Sequence, residues 1–264
     1  MKKVLMCRPN YFRVDYSINP WMKIGSVNQP NAVVQWGKLV NEYQKLGLEV
    51  SIIDQVEKFP DMVFVADQGI LIDNSTILLS RFRYQERKDE SEVYSKWYQD
   101  NGYTVKRLPE NLYFEGNGEL QRWRDILLIG TGFRTTEHAA HTVGKILSRE
   151  VMSLELIDER FYHLDTCLMV LNSDTVFYYP SAFSLKSISD LQSRIPNLVE
   201  INDQDVINFA LNSVVVESTV VMQVGSIEMR AKINELGYRV IDLDVSEFIK
   251  AGGGAHCLTG YLSN

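Results

Sequence analysis

The sequence predicts a single α/β domain that is built from repeated strand–helix units. Strands and helices recur in units of roughly fifty residues, about five in all, and each unit combines a helix with two or three short strands. No Pro-, Gly- or Ser-rich linker separates two units, so residues 1–264 are expected to form one domain. A fixed repeat length favours a radial or stacked architecture, although periodicity alone also fits a doubly wound α/β sheet.

The individual elements follow from hydrophobic periodicity and turn residues. Apolar residues at i, i+3, i+4 and i+7 predict an amphipathic helix at 32–46, which Gly47 ends. Thr136 is placed to cap another helix, 136–147. Further helices are predicted at 81–102, 188–193, 227–236 and 245–250. Strands are predicted at 3–7, 49–53, 62–66, 70–72, 76–79, 104–108, 125–130, 168–171, 176–179, 198–201, 209–216, 220–223 and 238–243.

The C-terminal stretch carries the first chemical signal. Three consecutive glycines at 252–254 stand shortly before Cys257, so the backbone can approach a ligand closely and present the thiol at the edge of a pocket. A small buried thiol after a glycine turn also occurs for purely structural reasons. Upstream, His163 and Asp165 would point to the same face if they lie on a strand. Cysteine, histidine and carboxylate together are the components of an activated thiol nucleophile.

The two stretches together resemble the guanidino-group-modifying superfamily. They read His-Leu-Asp-Thr at 163–166 and Gly-Gly-Gly-Ala-His-Cys-Leu-Thr at 252–259. The superfamily includes arginine deiminases, dimethylarginine dimethylaminohydrolases, agmatine deiminases, arginine dihydrolases and amidinotransferases. The resemblance covers essentially the whole chain and implies a five-bladed α/β propeller, the pentein fold, in which each blade contributes to one axial site. The candidate site residues at 67, 115, 163 and 257 are spaced by about fifty residues or a multiple of it.

The resemblance assigns three catalytic residues. Cys257 is the expected nucleophile, His163 the general acid and base, and Glu115 the carboxylate that orients His163. Glu115 lies in Phe-Glu-Gly-Asn-Gly-Glu at 114–119, which resembles the superfamily's Phe-Glu-Gly-Gly-Asp motif. The motif here has one extra residue and Glu119 in place of the final Asp, so no role is assigned to Glu119.

The resemblance also assigns five substrate-binding residues. Asp67 and Asp165 are expected to hold the guanidinium N–H groups in charge-assisted hydrogen bonds. Arg87 and Arg134 are expected to clamp the α-carboxylate, and Asn19 to contact the polar head of the substrate. Asn19 lies in Asn-Pro-Trp-Met, which resembles a loop of the deiminase and dihydrolase branch. The dihydrolases that share this loop look as though they carry Asn in place of Asp67.

Composition and charge exclude several other classes of function. The net charge is −7 and no Lys/Arg block stands out, so nucleic-acid binding is not expected. No stretch approaches the ~18 apolar residues of a membrane span, and the N-terminal residues do not form a signal peptide. Three widely spaced cysteines favour a reduced, cytoplasmic protein. No Cys-x-x-Cys or His-x-x-x-His pair suggests a metal site, and the implied mechanism needs no cofactor. The expected partner is a small guanidino compound, and the oligomeric state stays open.

Several functions remain for a chain of this kind. The favoured one is a cysteine-dependent hydrolase that converts arginine or an N-substituted arginine to a citrulline-type product through a covalent thiouronium intermediate. An arginine dihydrolase giving ornithine and an amidinotransferase are the enzyme alternatives, whereas an agmatine deiminase has no need of the carboxylate clamp. An arginine-binding sensor or a propeller-fold binding protein is the non-enzyme alternative. An enzyme is favoured because the sequence contains the expected nucleophile, base and carboxylates together: Cys257, His163, Glu115, Asp67 and Asp165.

Overall fold

Five three-stranded sheets form the blades of a propeller. The structure is a computed structural model that describes residues 2–263. The strands are β1 (Lys3–Arg8), β2 (Glu49–Asp54), β3 (Gly69–Asp73), β4 (Thr76–Leu79), β5 (Thr104–Arg107), β6 (Leu120–Trp123), β7 (Ile126–Thr131), β8 (Glu150–Glu155), β9 (Leu168–Val170), β10 (Thr175–Tyr178), β11 (Asn197–Glu200), β12 (Val214–Val216), β13 (Thr219–Gln223), β14 (Arg239–Leu243) and β15 (Gly260–Tyr261). The helices are α1 (Gln29–Lys45), α2 (Gln85–Lys88), α3 (Glu90–Asp100), α4 (Gly116–Glu119), α5 (Glu137–Leu147), α6 (Leu185–Arg194), α7 (Asp203–Ile207), α8 (Ile227–Glu235) and α9 (Ser246–Ile249).

The same topology recurs in every blade. A central strand pairs antiparallel with one neighbour and parallel with the other, as in β3-β4-β5 and β6-β7-β8. The parallel pair needs a crossover, and a helix supplies it each time, for example α1 between β1 and β2. The first blade is completed from the other end of the chain, because β15 pairs antiparallel with β1, Val4 opposite Tyr261. The predicted five-bladed α/β propeller is confirmed.

The crossover helices bury one apolar face against their blades. Helix α1 begins at Asn28, whose side chain accepts a hydrogen bond from the backbone of Asn31, and buries Trp36, Leu39 and Tyr43. The cap predicted for α5 is present, since the Thr136 hydroxyl accepts from the backbone N–H of residue 139. Most central strands are buried along their whole length, so the apolar cores lie between the sheets and the helices.

The strand predicted at 62–66 is wrong. This segment forms two successive 3₁₀ turns, Pro60–Val63 and Val65–Gln68, and every residue of both turns is buried. A short apolar run reads alike as a buried strand or a buried turn. Its backbone bonds to the C-terminal loop rather than to a sheet, because the Ala66 N–H donates to the Cys257 carbonyl at 3.1 Å.

Three other predicted elements also differ from the structure. His163 is extended, but Leu164–Thr166 is a 3₁₀ turn, which the Thr166 hydroxyl closes by donating to the His163 carbonyl at 2.6 Å. His163 and Asp165 therefore do not share a strand face. The helix predicted from residue 81 begins only at α2, because Arg81 exchanges two backbone hydrogen bonds with Phe114. The strand predicted at 209–216 is confined to β12.

Among the described residues, no helix has both the length and the apolar character needed to cross a bilayer.

Candidate active site

The turns between the sheets converge on the propeller axis and bring the predicted site residues together. The two 3₁₀ turns at 60–68, the short helix α4, the turn at 163–166 and the C-terminal loop contact one another there. Tight backbone approach explains one glycine of α4: a Cβ at Gly118 would lie 2.6 Å from Asp67 Oδ1 and 2.7 Å from His163 Nδ1. Because Gly118 has no side chain, Asp67 and His163 can approach the backbone of α4 closely.

The predicted nucleophile is held between a carboxylate and an amide. Cys257 Sγ lies 3.1 Å from Asp165 Oδ2 and 3.1 Å from Asn212 Nδ2, and the residue is 1% exposed. Burial raises the pKa of the Cys257 thiol, and the carboxylates of Asp165 and Asp67 raise it further. The resting sulfur is therefore a thiol at neutral pH, and it needs a nearby positive charge to ionise.

The predicted acid–base residue is fully buried among carboxylates. His163 Nε2 lies 2.9 Å from Glu115 Oε2, and His163 Nδ1 lies 3.5 Å from Asp67 Oδ1. Burial alone would lower the pKa of His163, but the charge of Asp67 and the hydrogen bond to Glu115 outweigh it and raise this pKa to about 9. The imidazole is therefore cationic at neutral pH, and the Glu115 carboxylate stabilises that form.

Three polar atoms at the centre of the site have no partner within the protein. They are Asp67 Oδ1, Asp165 Oδ1 and His163 Nδ1; within residues 2–263 none of them makes a hydrogen bond, and Asp67 Oδ1 and His163 Nδ1 only face each other at 3.5 Å. A buried polar atom without a partner is costly, so these atoms mark a place for a ligand. Two of them are carboxylate acceptors, and the Asp165 carboxylate contacts the Cys257 sulfur, which matches a planar cation rich in N–H groups.

The two predicted clamp arginines lie on either side of this group. Arg134 is 2% exposed, donates to Glu115 Oε2 at 2.8 Å and to the Ile18 carbonyl at 2.9 Å, and stacks between Tyr84 and Tyr162. Its guanidinium thus fixes Glu115 while lying against the loop at residue 18.

Arg87 is engaged by buried carboxylates. Its guanidinium donates to Asp67 Oδ2 at 2.7 Å and to Glu90 Oε2 at 3.0 Å, and lies over the Phe82 ring. These bonds hold the Asp67 carboxylate so that Oδ1 points toward His163. Contact of Arg87 or Arg134 with a substrate carboxylate stays a prediction.

The loop around Asn19 covers the site. Asn19 Nδ2 donates to the Ala251 carbonyl at 3.1 Å, and Trp21 Nε1 donates to the Arg160 carbonyl at 2.7 Å. The loop is thereby fastened to the C-terminal glycine stretch and to the fourth blade. The side chains of Cys257, His163 and Asp165 beneath it are nearly inaccessible to solvent. Direct contact between Asn19 and a substrate stays a prediction.

Sequence reasoning missed Asn212 and assigned nothing to Glu119. Asn212 is 1% exposed and contacts the Cys257 sulfur, yet it stands alone in Phe-Ala-Leu-Asn-Ser, with no motif that could reveal it. Glu119 is fully buried and neither of its oxygens has a partner within residues 2–263. Burial raises its pKa to about 8, which His163 opposes and Glu115 supports, so it is largely neutral at pH 7.

The charge of His163 has a measurable consequence. With a folded-state pKa of about 9 against ~6.5 unfolded, His163 adds stability that is complete below pH ~6.5 and is lost as the pH rises through about 9. Glu115→Gln removes one supporting carboxylate, so the His163 midpoint should fall. Histidine NMR titration checks this, and the resonances of exposed His138 and His141 are internal controls. An unchanged His163 midpoint in Glu115→Gln would show that Glu115 does not hold the imidazolium.

The five-bladed fold and the buried Cys–His–carboxylate group together place the chain in a class of protein, the guanidino-group-modifying superfamily. The sequence profile of the family described as "N,N dimethylarginine dimethylhydrolase, eukaryotic" matches residues 8–262. The chain belongs to this family. The family membership predicted from the sequence is confirmed.

Two proteins of assigned function are similar to this chain in sequence. The bifunctional arginine dihydrolase/ornithine cyclodeaminase ArgZ of Synechocystis is 40% identical over 97% of this chain and 37% of its own length. The chain thus spans well under half of that relative. The dimethylarginine dimethylaminohydrolase of Mycobacterium tuberculosis is 36% identical over 98% of this chain and 85% of its own length.

Solved structures agree with the architecture. The N-terminal domain of ArgZ, as a cysteine-to-serine variant bound to its substrate, superposes with a TM-score of 0.96 at 38% identity and covers 100% of this chain and 99% of that one. A dimethylarginine dimethylaminohydrolase carrying a pyridine adduct superposes with a TM-score of 0.82 at 25% identity, covering 98% and 99%. An asparagine-to-serine variant of ArgZ has been solved with a covalently bound reaction intermediate.

Proposed function

We propose that this protein hydrolyses the guanidino group of free arginine or an N-substituted arginine, giving a citrulline-type product and ammonia or an amine. The observation that carries the proposal is the buried group of Asp67, Asp165 and His163, in which three polar atoms make no hydrogen bond and Asp165 contacts the Cys257 sulfur. The two carboxylates present acceptors that match the N–H groups of a guanidinium, whereas a ligand without such donors would leave these oxygens without hydrogen bonds.

Substrate binding activates the nucleophile in this mechanism. Asp67 and Asp165 hold the guanidinium so that its carbon lies next to the Cys257 sulfur, which removes much of the entropic cost of attack. The positive charge of the substrate lowers the pKa of the thiol, so Cys257 releases its proton to solvent as the substrate binds and His163 keeps its own. The thiolate then forms a carbon–sulfur bond and generates a tetrahedral adduct.

His163 serves both halves of the reaction. Its imidazolium protonates the leaving nitrogen, which departs as ammonia or an amine and leaves a thiouronium on Cys257. The neutral imidazole next takes a proton from a water that attacks the same carbon, and the sulfur leaves as a thiolate. Glu115, bonded to His163 and to Arg134, keeps the imidazole oriented through both steps.

The carboxylate clamp leads to a prediction about substrate choice. If Arg134 binds the α-carboxylate, agmatine should be a poorer substrate than arginine by roughly ten- to a hundredfold in kcat/KM, since a lost charge-assisted bond costs ~1.5–3 kcal/mol. Arg134→Gln should shrink this preference, whereas Arg107→Gln, which changes an arginine paired with Glu92 at the surface, should not. The kcat/KM values of both substrates measure it. Equal turnover of agmatine and arginine by the unaltered protein would remove the clamp from the mechanism.

An arginine dihydrolase that continues to ornithine is the second candidate. It is favoured by the identity to ArgZ and by the structural match to the substrate-bound ArgZ domain. Asp67 argues against it, because an ionised carboxylate facing a ureido oxygen disfavours a second attack.

Product analysis tests the proposal and separates the two candidates. The protein is incubated with arginine, methylated arginines or agmatine, and the products are identified by mass spectrometry, with Cys257→Ala as the control. Citrulline and one equivalent of ammonia or amine are expected from arginine and the methylated arginines, and little product from agmatine. Binding of arginine without any product would instead identify an arginine sensor.

The same proposal extends to cellular setting and organisation. Residues 1–264 act as one catalytic unit, supported by the closure of the first blade by β15. The three cysteines are unpaired and buried, which supports a reducing, cytoplasmic location. The partner is a small guanidino compound, and neither nucleic acid nor membrane is part of the function.

A further inference from the structure

Both ends of the Asn212 side-chain amide make hydrogen bonds, to the C-terminal loop at 254–257 and to Asp165. Its Oδ1 accepts from the backbone N–H of Gly254 at 2.9 Å and of Cys257 at 3.1 Å. Its Nδ2 donates to the Asp165 carbonyl at 3.2 Å and lies 3.1 Å from Cys257 Sγ. The Asn212 carbonyl also accepts from the His256 N–H at 3.1 Å. Asn212 therefore contacts the backbone of Gly254 and His256, which precede the nucleophile, the backbone of Cys257 itself, and the carbonyl of Asp165.

The surrounding groups fix the orientation of this amide. The two groups that face Oδ1 are backbone N–H donors, so that atom has to be the oxygen. The Asp165 carbonyl can only accept, so it takes one of the two Nδ2 hydrogens, and the second points at the Cys257 sulfur. The close approach also explains a glycine, since a Cβ at Gly254 would lie 2.9 Å from Asn212 Oδ1.

The contacts of the sulfur change character when the thiol ionises. In the resting state Cys257 can donate its S–H to Asp165 Oδ2 while it accepts from Asn212. As a thiolate it can no longer donate, and the Asp165 contact becomes a repulsive pair of anions. Among residues 2–263, Asn212 Nδ2 is the one side-chain donor within hydrogen-bond distance of this sulfur. Hydrogen bonds to an ionised acceptor are about twice as strong as those between neutral groups.

We propose that Asn212 is a catalytic residue that donates its Nδ2–H to the Cys257 sulfur whenever that sulfur carries negative charge. It does so before attack on the guanidinium carbon and again when the carbon–sulfur bond breaks. Its Oδ1 meanwhile holds the backbone of the glycine loop, which aims the sulfur at the substrate. This role rests on the proposed function, in which Cys257 is the nucleophile.

Asn212→Asp separates the two parts of the role. The aspartate is nearly isosteric and keeps an oxygen for the N–H groups of residues 254 and 257, but it replaces the donor with a second acceptor. The pH midpoint for alkylation of Cys257 by iodoacetamide should then rise by about one unit or more. For each unit, attack below the midpoint should slow roughly three- to fourfold, because the smaller thiolate fraction outweighs the higher nucleophilicity.

Asn208→Asp is the matched control. Asn208 lies four positions earlier, is only partly buried, and donates to the Val224 carbonyl and the Ser226 hydroxyl rather than to the sulfur. Its alkylation midpoint should equal that of the unaltered protein. Peptide mapping by mass spectrometry distinguishes Cys257 from Cys7 and Cys167, which are buried elsewhere.

The experiment needs no substrate, so its result is independent of the proposed reaction. A folded Asn212→Asp protein with an unchanged Cys257 midpoint overturns the proposal, even if arginine hydrolysis is found. A raised midpoint supports it, even if arginine is not turned over. If Asn212→Asp does not fold, ¹⁵N-asparagine labelling of the unaltered protein decides. The Asn212 side-chain amide resonances should move as Cys257 titrates, and a lack of movement overturns the proposal.

Discussion

Cys257→Ala should fold normally and release no ammonia or amine from any guanidino substrate, a loss of at least about 10³-fold in kcat/KM. The sulfur is the one atom in the group that can form a covalent bond to the guanidinium carbon, and no neighbouring side chain can replace it. Circular dichroism and thermal melting establish the fold, and a continuous ammonia assay measures the rate. Acid quenching of the unaltered protein during turnover should show an adduct on the peptide that carries Cys257.

Cys7→Ala is the control for this variant. Cys7 is also fully buried, on β1, and its sulfur faces a backbone carbonyl, so the variant should lose some stability but keep its activity. Substrate should also slow the labelling of Cys257 by iodoacetamide and leave that of Cys7 unchanged. Normal ammonia release by Cys257→Ala would show that Cys257 is not the nucleophile. The chain would then act by a mechanism other than the one proposed.

Regular elements could be predicted because local pattern and tertiary packing agree there. The amphipathic stripe of α1 and its cap residue both point to the helix that is found, although it begins three residues earlier than predicted, at Gln29. The propeller itself required the resemblance, because strand spacing does not distinguish radial sheets from one doubly wound sheet. Closure of the first blade by β15 joins residues at opposite ends of the chain, which periodicity cannot show.

The candidate site was predicted in part, and the omissions have a physical cause. Cys257, His163 and Glu115 belong to motifs, and the structure brings them within one buried group. Asn212 has no motif, since its role comes from contacts with residues more than forty positions away. The network of Arg87 with Glu90 was also not foreseen, because a charge run on a helix is usually solvated.

Arg87 has a structural role that the sequence did not predict. Its guanidinium is bonded to Asp67 and Glu90, so it fixes the acceptor that faces His163. Burial raises the pKa of Asp67, and His163 and Arg87 oppose that rise. The ionised state of Asp67 therefore depends on its two cationic neighbours, and a guanidinium substrate would add a third.

The ionised state of Asp67 leads to a second prediction with a large effect, which is that hydrolysis stops at citrulline. A guanidinium presents only N–H donors, which the Asp67 and Asp165 carboxylates match. Citrulline presents a carbonyl oxygen at one of these positions, and an ionised Asp67 would face it as an unfavourable pair of acceptors. Citrulline should therefore leave, and the unaltered protein should release one ammonia or amine for each substrate consumed.

Asp67→Asn should change the product. An asparagine can turn its NH₂ group toward the ureido oxygen and retain citrulline for a second attack, which would release further ammonia and leave ornithine. The first step should slow by roughly ten- to a hundredfold, because a charge-assisted hydrogen bond to the guanidinium is lost.

The measurement is the ratio of ornithine to citrulline when arginine is fully consumed, together with the ammonia released per arginine. Asp61→Asn is the matched control: Asp61 is a buried carboxyl whose backbone carbonyl accepts from Arg87, but its side chain accepts from Tyr16 rather than facing His163. It should produce citrulline only. Ornithine as the main product of the unaltered protein would mean that an ionised Asp67 does not prevent the second hydrolysis, and the chain would then act as an arginine dihydrolase. Citrulline alone from Asp67→Asn would place the control of the second step in another residue of the pocket.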